Sequence, residues 1–375
     1  MRHLGSSPAG LLDRLGTPGR VLSNQLTVAA ALRPRHAWRH FDDLRHARTW
    51  GPAARRALYA HIWADAATIV GATLEPLVGD FVRIRLNTSS TLVWFHEVQL
   101  GDPVTLRLAL DKQAQLRLLM DAGVPTAVSL EFDRADGASA VDFLRAHGGP
   151  HVVKPARGTS SGEGVTADIR TPAELRRAQR WAHRWSEQLL IERQVEGDEY
   201  RLLFLDSELL GAVRRSPPSL LGDGQSTVEE LISKLNRHRA ERAGWAGLTF
   251  VKVDLDMLIA LRRKGLALSS VPDRGVPVRL KSTPGANGAL DNETMAPDAL
   301  SPDLVAEAAI AVAATGLRLA GVDVITPRPD RSLIDAGGAV IEVNATPGLH
   351  YHYLVADAAG AVPVARPVLA ALLDG

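Results

Sequence analysis

The spacing of hydrophobic and polar residues along the chain predicts helices and strands that alternate. Apolar positions at helical spacing predict helices over residues 52–69, 111–122, 172–185, 227–238 and 302–315. Short apolar or alternating runs predict strands over residues 81–86, 91–95, 151–154, 165–169, 189–192, 201–205, 209–213, 321–325 and 339–343. Residues 239–275 are polar and less regular. Strands separated by helices, with several hairpins, imply an α+β or mixed α/β fold.

Composition and charge exclude several classes of function. The formal net charge is +1, whereas nucleic-acid-binding chains usually have a clear basic excess. There are no cysteines, which excludes disulfides, thiolate zinc sites, cysteine nucleophiles and iron–sulfur clusters. No apolar run is long enough to cross a bilayer, and the N-terminus lacks the hydrophobic stretch of a signal peptide. We therefore expect a cytoplasmic protein whose 375 residues form two or three domains.

A loop rich in glycine and hydroxyl side chains lies between two predicted strands, at residues 157–164. Backbone N–H groups of such loops can surround phosphates, and no Gly-Lys-Ser/Thr follows that would make this a Walker A motif. The loop is thus either a flap over phosphates or an ordinary hairpin tip. Lys154 ends the strand before it, and Lys112 begins an earlier helix. Each lysine could hold a phosphate or be a solvated surface residue.

Three oxygen-bearing side chains suggest a metal site. Glu342 and Asn344 are two apart on a predicted strand and share a face, while Ile341 and Val343 point the other way into a core. Asp323 lies in another apolar strand, and pairing of the two strands would bring the trio together. Two carboxylates and an amide, without sulfur or imidazole, suit Mg²⁺. The alternative is an edge strand with solvated acids, although unpaired carboxylates within apolar strands are disfavoured.

Two further pairs are candidate substrate contacts. Arg214 and Arg215 end a predicted hairpin strand, where they could clamp a phosphate or a carboxylate, or form a solubilising surface pair. His350 and His352 follow the metal strand closely. A His-x-His pair on one face can bind metal. We interpret it as the wall of a substrate pocket, with a structural role as the alternative.

The order of these segments resembles the ATP-grasp superfamily of carboxylate–amine ligases. The nearest likeness is to the ATP-grasp domain of cyanophycin synthetase, and a more distant one is to ribosomal-protein S6 glutamate ligases. The likeness extends from about Asp111 to Leu354. The segments that carry it are 111–112 with 121–126, 152–164, 190–195 with 199–201, 212–218 with 222–224, 321–323 and 341–344.

The resemblance implies a role for each candidate residue. ATP would be bound by Lys112, Lys154, Ser160, Ser161 and Gly162 at its phosphates, by Glu192, Gln194 and Val195 at its adenine, and by Glu199 at its ribose. One or two Mg²⁺ ions, or Mn²⁺, would be held by Asp323, Glu342 and Asn344. Arg215 and Lys154 would act in catalysis, and the substrates would meet Arg214, Lys281, His350 and His352.

The resemblance also implies an ATP-grasp fold and a domain order. We expect a small α/β N-terminal domain over residues 1–105, a central subdomain with the phosphate flap over 106–187, and a C-terminal subdomain with the metal site over 188–375. The large N-terminal domain and the C-terminal Mur-ligase-like domain of cyanophycin synthetase have no counterpart here. We therefore do not expect polymerisation by two alternating ligase sites.

The activity implied is ADP-forming ligation. A carboxylate of an amino acid or peptide would be joined to an amine through an acyl phosphate. The alternatives are an ATP-grasp kinase that phosphorylates a small molecule, and a nucleotide-binding module without catalysis. The expected partners are small-molecule or peptide substrates and a second copy of the chain in a homodimer, but neither nucleic acid nor a membrane.

Overall fold

The computed structural model describes most of the chain, namely residues 54–133, 136–159, 162–241, 250–284 and 291–374. Ser160 and Ser161 of the predicted flap lie outside these ranges, as do residues 1–53 of the predicted N-terminal domain. None of the helices in the described ranges is long and apolar enough to span a membrane.

The described residues form helices and strands that alternate along the chain. The helices are α1 (54–70), α2 (Pro103–Ala109), α3 (Lys112–Asp121), α4 (Gly137–His147), α5 (Pro172–Ala182), α6 (Val228–Glu241), α7 (Leu255–Arg263), α8 (Pro302–Thr315), α9 (Leu333–Ala336) and α10 (Ala365–Asp374). The strands are β1 (Thr73–Pro76), β2 (Phe81–Leu86), β3 (Ser89–Trp94), β4 (Glu97–Val98), β5 (Ser129–Phe132), β6 (His151–Pro155), β7 (Thr166–Ile169), β8 (Leu189–Arg193), β9 (Asp198–Leu205), β10 (Glu208–Arg215), β11 (Ser219–Leu221), β12 (Pro277–Arg279), β13 (Asn292–Thr294), β14 (Leu319–Thr326) and β15 (Ala339–Asn344).

These strands form four antiparallel sheets. The N-terminal sheet has the order β1-β2-β3-β4, and the flap sheet has the order β5-β8-β6-β7. The central sheet has the order β13-β10-β9-β14-β15, and β11 pairs with β12 in a small ribbon. Helices between antiparallel sheets confirm the mixed α/β fold that the hydrophobic pattern predicts.

The central sheet separates two hydrophobic cores. On one face, Leu202 and Val322 pack against α8 through residues such as Ala308. On the other face, Leu203 packs in the same cluster as Trp63 of α1. The described part of the N-terminal unit therefore shares its core with the central sheet. The predicted boundary between an N-terminal domain and the central subdomain at residue 105 stays a prediction.

One expectation about secondary structure is wrong. Within 239–275, predicted as irregular, residues Leu255–Arg263 form α7, whose first turn is capped by the Asp254 carboxylate accepting from the Met257 N–H group at 3.0 Å. Met257 and Leu261 are buried against β11, β12 and α6. The helix has only nine residues, so tertiary burial stabilises it more than local propensity does.

The turn between β8 and β9 depends on a glycine. Gly197 has φ of +124°, a backbone conformation that residues other than glycine rarely adopt. A Cβ atom there would overlap the backbone of Thr326 and Pro327, where β14 ends. Because backbone atoms cannot move aside as a flexible side chain can, this position requires glycine.

We therefore predict that Gly197→Ala lowers the free energy of unfolding by more than about 3 kcal/mol, because steric overlap adds to backbone strain. Gly265→Ala is the matched control, since Gly265 also has positive φ, at +69°, but has no neighbouring atom within 4 Å of a Cβ. That control should lose only about 1–2 kcal/mol. Urea denaturation measures the free energy of unfolding of both variants. Equal decreases would contradict the close approach of Gly197 to the backbone of Thr326 and Pro327.

Candidate active site

A buried ion pair lies across the middle of the central sheet. Arg201 on β9 faces Asp323 on β14, which in turn faces Glu342 on β15. The Arg201 guanidinium donates through Nε to one Asp323 oxygen and through Nη2 to the other, the latter at 2.7 Å. Both side chains are buried. Burial opposes ionisation of Asp323, but the Arg201 charge outweighs it and holds the pKa of this carboxyl below its usual value.

A second, partly buried pair lies beside the first. Arg215 on β10 faces Glu199 on β9, and its Nη1 donates to Glu199 Oε1 at 2.5 Å. The same Nη1 lies 3.8 Å from Asp323 Oδ1, so acids and arginines alternate across the sheet. Burial raises the pKa of Glu199 to about 7, even though Arg215 acts in the opposite direction. We call Glu199, Arg201, Arg215 and Asp323 the central cluster.

Two members of the predicted oxygen trio, Asp323 and Asn344, are in contact at the edge of the central cluster, and Glu342 pairs in register with Asp323. Asn344 donates through Nδ2 to Gly321 O and to Asp323 Oδ2, each at 3.1 Å, which leaves its amide oxygen for another partner. Glu342 Oε1 lies 3.4 Å from Lys112 Nζ. Within the described ranges, no three acidic or histidine side chains converge as a metal site. The trio of two carboxylates and one amide has the oxygen donors that Mg²⁺ prefers. Both Asp323 oxygens already accept from Arg201, so this carboxylate would share its oxygens between Arg201 and a metal ion.

A change of register in β15 produces this arrangement. Asp323 faces Glu342, but the next residue of β14, Val324, faces Val340. Val340 and Val343 are therefore both in the core, and Ile341, expected to point into the core beside Val343, is only partly buried. Register shifts of this kind are frequent next to active sites, where they redirect a side chain.

The flap sheet supplies the second lysine. Lys154 Nζ on β6 lies 2.8 Å from Glu192 Oε1 on the neighbouring strand β8, and both side chains are buried. Gln194 follows β8, and its side chain accepts from the Asp168 N–H group at 2.9 Å, while its own N–H group donates to Pro150 O. Val195 continues this segment towards β9.

The start of the flap is tied to the helix that carries Lys112. Asp111 caps α3, and its Oδ2 accepts from Arg157 Nε at 2.6 Å. Arg157 also donates to Glu131 at 3.0 Å, and the Lys112 N–H group donates to Ala156 O at 3.3 Å. The two predicted phosphate lysines are therefore held by connected elements. Gly162 lies in the flap itself, with φ of +74°.

Two predicted substrate residues do not reach the central cluster. Arg214 lies on the opposite face of the central sheet from Arg215, because successive strand residues alternate, and it pairs with Glu293 and with Asp198. The two arginines therefore do not form one clamp. Lys281 is buried and pairs with Asp254 at the start of α7.

The two histidines are not arranged as a His-x-His metal pair, and their role as a substrate-pocket wall stays a prediction. Residues Leu349–His352 form a 3₁₀ turn, so His350 and His352 do not share a face. Burial lowers the pKa of His352 to about 3 and lowers the pKa of His350 well below its usual value. Both rings are thus neutral near pH 7. His350 Nδ1 lies 2.8 Å from the hydroxyl of Tyr59.

Two site residues were missed in the sequence. Arg201 shares a face with Glu199, which lies two positions earlier in the same strand. A charged residue within an apolar strand is the same signal that identified Asp323. Tyr351 places its ring 4.9 Å from the Arg215 guanidinium carbon and 5.5 Å from that of Arg201. Nothing in the local sequence distinguishes Tyr351, because its position depends on how the turn folds back over β9 and β10.

Known proteins are similar to this chain in sequence and in fold. No family model matches the chain. The cyanophycin synthetase of Nostoc sp. is 33% identical over 273 residues, which are 72% of this chain and 29% of that protein. The glutathione biosynthesis bifunctional protein of Clostridium perfringens is 26% identical over 255 residues, which are 66% of this chain and 32% of that protein. The chain therefore spans about a third of the length of these relatives.

A solved structure shares the fold. The crystal structure of a bifunctional glutathione synthetase from Pasteurella multocida covers 81% of this chain and 42% of its own, with a TM-score of 0.52 and 22% identity. The chain belongs to the ATP-grasp superfamily, as the sequence predicted. Within that superfamily it is related to the carboxylate–amine ligases, among them the cyanophycin synthetases.

The buried pair generates a test of stability. We predict that Arg201→Met lowers the free energy of unfolding by about 3–5 kcal/mol, because Asp323 would remain buried without its partner. The control is Arg318→Met, which removes an exposed arginine that donates to Asp206 at 2.8 Å. Its effect should stay below about 1 kcal/mol. Chemical denaturation without added nucleotide measures the free energy of unfolding of both variants. A decrease for Arg201→Met as small as that for the control would contradict the burial of the Arg201–Asp323 pair.

Proposed function

We propose that the chain is an ATP- and Mg²⁺-dependent ligase that joins a carboxylate to an amine. The observation that supports this most is the convergence of charges on one face of the central sheet. Glu342 lies beside the Lys112 ammonium group, and Asn344, Arg201 and Arg215 all lie next to Asp323. Phosphate and carboxylate groups would meet cations there, next to donors suited to Mg²⁺.

The residues of the chain would bind and orient the reactants. Lys112, Lys154 and the flap would hold the phosphates of ATP, and Glu192, Gln194 and Val195 would contact its adenine. Glu199 would contact the ribose. Asp323, Glu342 and Asn344 would hold Mg²⁺, which neutralises charge on the β- and γ-phosphates when bound.

The reaction would have two steps. A carboxylate oxygen of the first substrate attacks the γ-phosphorus of ATP, and ADP leaves, giving an acyl phosphate. The amine nitrogen of the second substrate then attacks the acyl carbon, inorganic phosphate leaves, and the nitrogen loses a proton. Arg215 would stabilise the acyl phosphate by charge. No side-chain nucleophile takes part, which is consistent with a chain that has no cysteine.

The substrates would be amino acids or small peptides. Support comes from the relatives, since cyanophycin synthetase and the glutathione biosynthesis protein are named for amino-acid-derived products. A cytoplasmic location and a homodimer stay predictions.

A substrate matrix tests the ligase directly. With ATP, Mg²⁺ and pairs of amino acids or dipeptides, we expect ADP and phosphate release that depends on both partners, with an amide product detected by mass spectrometry. ADP release that needs no amine, together with a phosphorylated product, would instead indicate a kinase. Nucleotide binding without turnover across the matrix would indicate a binding module.

A second experiment tests the metal assignment. We predict that Glu342→Gln lowers kcat/KM at least about tenfold, partly restored at higher Mg²⁺, because a charged ligand is lost. Glu293→Gln is the control, since it removes an exposed carboxylate on the opposite face of the same sheet. It should leave activity near that of the parent. Full activity of Glu342→Gln at low Mg²⁺ would remove Glu342 from the metal site.

A further inference from the structure

The N-terminal helix contacts the turn that covers the central cluster. Tyr59 lies on α1 and is 2% exposed. Its hydroxyl lies 2.8 Å from His350 Nδ1, and the backbone N–H group of His350 lies 3.4 Å from the same oxygen. Two hydrogen bonds therefore join one tyrosine to both the side chain and the backbone of His350.

The protonation of Tyr59 and His350 limits the roles that each can play in these hydrogen bonds. Burial raises the pKa of Tyr59 and lowers the pKa of His350, so both are neutral near pH 7. The neutral ring either accepts at Nδ1 from the phenol O–H group or donates from Nδ1 to the phenol oxygen, depending on its tautomer, and the phenol oxygen accepts from the His350 backbone N–H group. Phenylalanine could fill the same space but could make neither bond.

The contact continues from His350 to the arginines. The ring centroids of His350 and Tyr351 are 4.2 Å apart. Tyr351 in turn lies over Arg215 and Arg201, at distances typical of cation–π contacts. An unbroken series of contacts thus leads from α1 to the central cluster.

The turn itself is packed closely. A Cβ atom at Gly348 would overlap the imidazole of His350, so only glycine lets this ring fold back on the chain. Leu349 is fully buried in the core that contains α1. The turn is therefore fixed on one side by apolar packing and on the other by the Tyr59 hydroxyl.

We propose that Tyr59 is a positioning residue, which fixes the 348–352 turn so that the Tyr351 ring stays over Arg201 and Arg215. The N-terminal unit would then define the shape of the pocket in which the substrate carboxylate and its acyl phosphate lie. This second statement rests on the proposed ligase function, whereas the positioning of Tyr351 does not.

The variant Tyr59→Phe tests the positioning without any substrate. It keeps the ring contacts with Phe95 and His96 and removes only the hydroxyl. The readout is the rate at which phenylglyoxal modifies Arg215, followed by peptide mass spectrometry, with hydrogen exchange of residues 345–353 measured in parallel. We expect both rates to increase at least about fivefold, because the variant loses both hydrogen bonds between the Tyr59 hydroxyl and His350.

The matched control is Tyr353→Phe. The Tyr353 hydroxyl accepts from the Ala365 N–H group at 3.1 Å, so this variant also removes a partly buried phenol that bonds to backbone. It does not contact Tyr351 through any ring pair among the described residues. We expect Arg215 modification at the parent rate. Faster modification in both variants would mean general loosening and would overturn the proposal.

A second variant covers the case in which Tyr59→Phe does not fold. His350→Gln removes the ring that links Tyr59 to Tyr351, and it should also raise Arg215 modification. Unchanged modification in a folded variant of either kind would overturn the positioning role. Where the ligase reaction is established, Tyr59→Phe should raise KM for the carboxylate substrate and leave KM for ATP unchanged. Absence of ligation in the parent would overturn the proposed function alone, since the labelling result stands without it.

Discussion

The buried Arg201–Asp323 pair is the constraint on which the rest of the site depends. Two charges taken out of water are tolerated only with good geometry and further hydrogen bonds. Arg215 and Asn344 supply additional contacts to Asp323, and Glu199 balances Arg215. The pair also constrains strand register, because a slip of one residue would turn Asp323 towards the apolar core beneath α8.

The two faces of the central sheet are covered unequally. The face towards α8 is apolar along β9, β14 and β15, as Leu202, Phe204 and Val322 illustrate. On the other face, apolar packing against α1 involves Leu203 and Leu205, at the far end of β9 from Glu199. The other half of this face carries the charged central cluster, and the turn after β15 joins the two halves through Leu349 in the apolar core and Tyr351 over the arginines.

The phosphate lysines come from two separate parts of the chain, and the structure joins them. Asp111 caps the helix that begins at Lys112 and also accepts from Arg157 at the start of the flap. Lys112 therefore has a fixed position relative to Lys154 as well as to Glu342. Such positioning matters for phosphoryl transfer, where catalysis consists mostly of orientation and neutralisation of charge.

The sequence alone determined the mixed α/β class, the strands of the central sheet that carry the candidate site, and the face shared by Glu342 and Asn344. These follow from periodicity within one strand or helix, which is local. It also indicated Asp323, because a carboxylate in an apolar strand needs a partner. It did not indicate α7, whose nine residues become helical through burial against other segments.

Only the tertiary structure decided which charges meet. The register shift that places Val340 in the core and Glu342 at the site depends on pairing with β14. The pairing of β9 between β10 and β14 brings Arg201 to Asp323, and the 3₁₀ turn places Tyr351 over the arginines. These contacts join residues far apart in the chain, so no local pattern encodes them. Their position is set by which strands become neighbours and by the packing that holds them there.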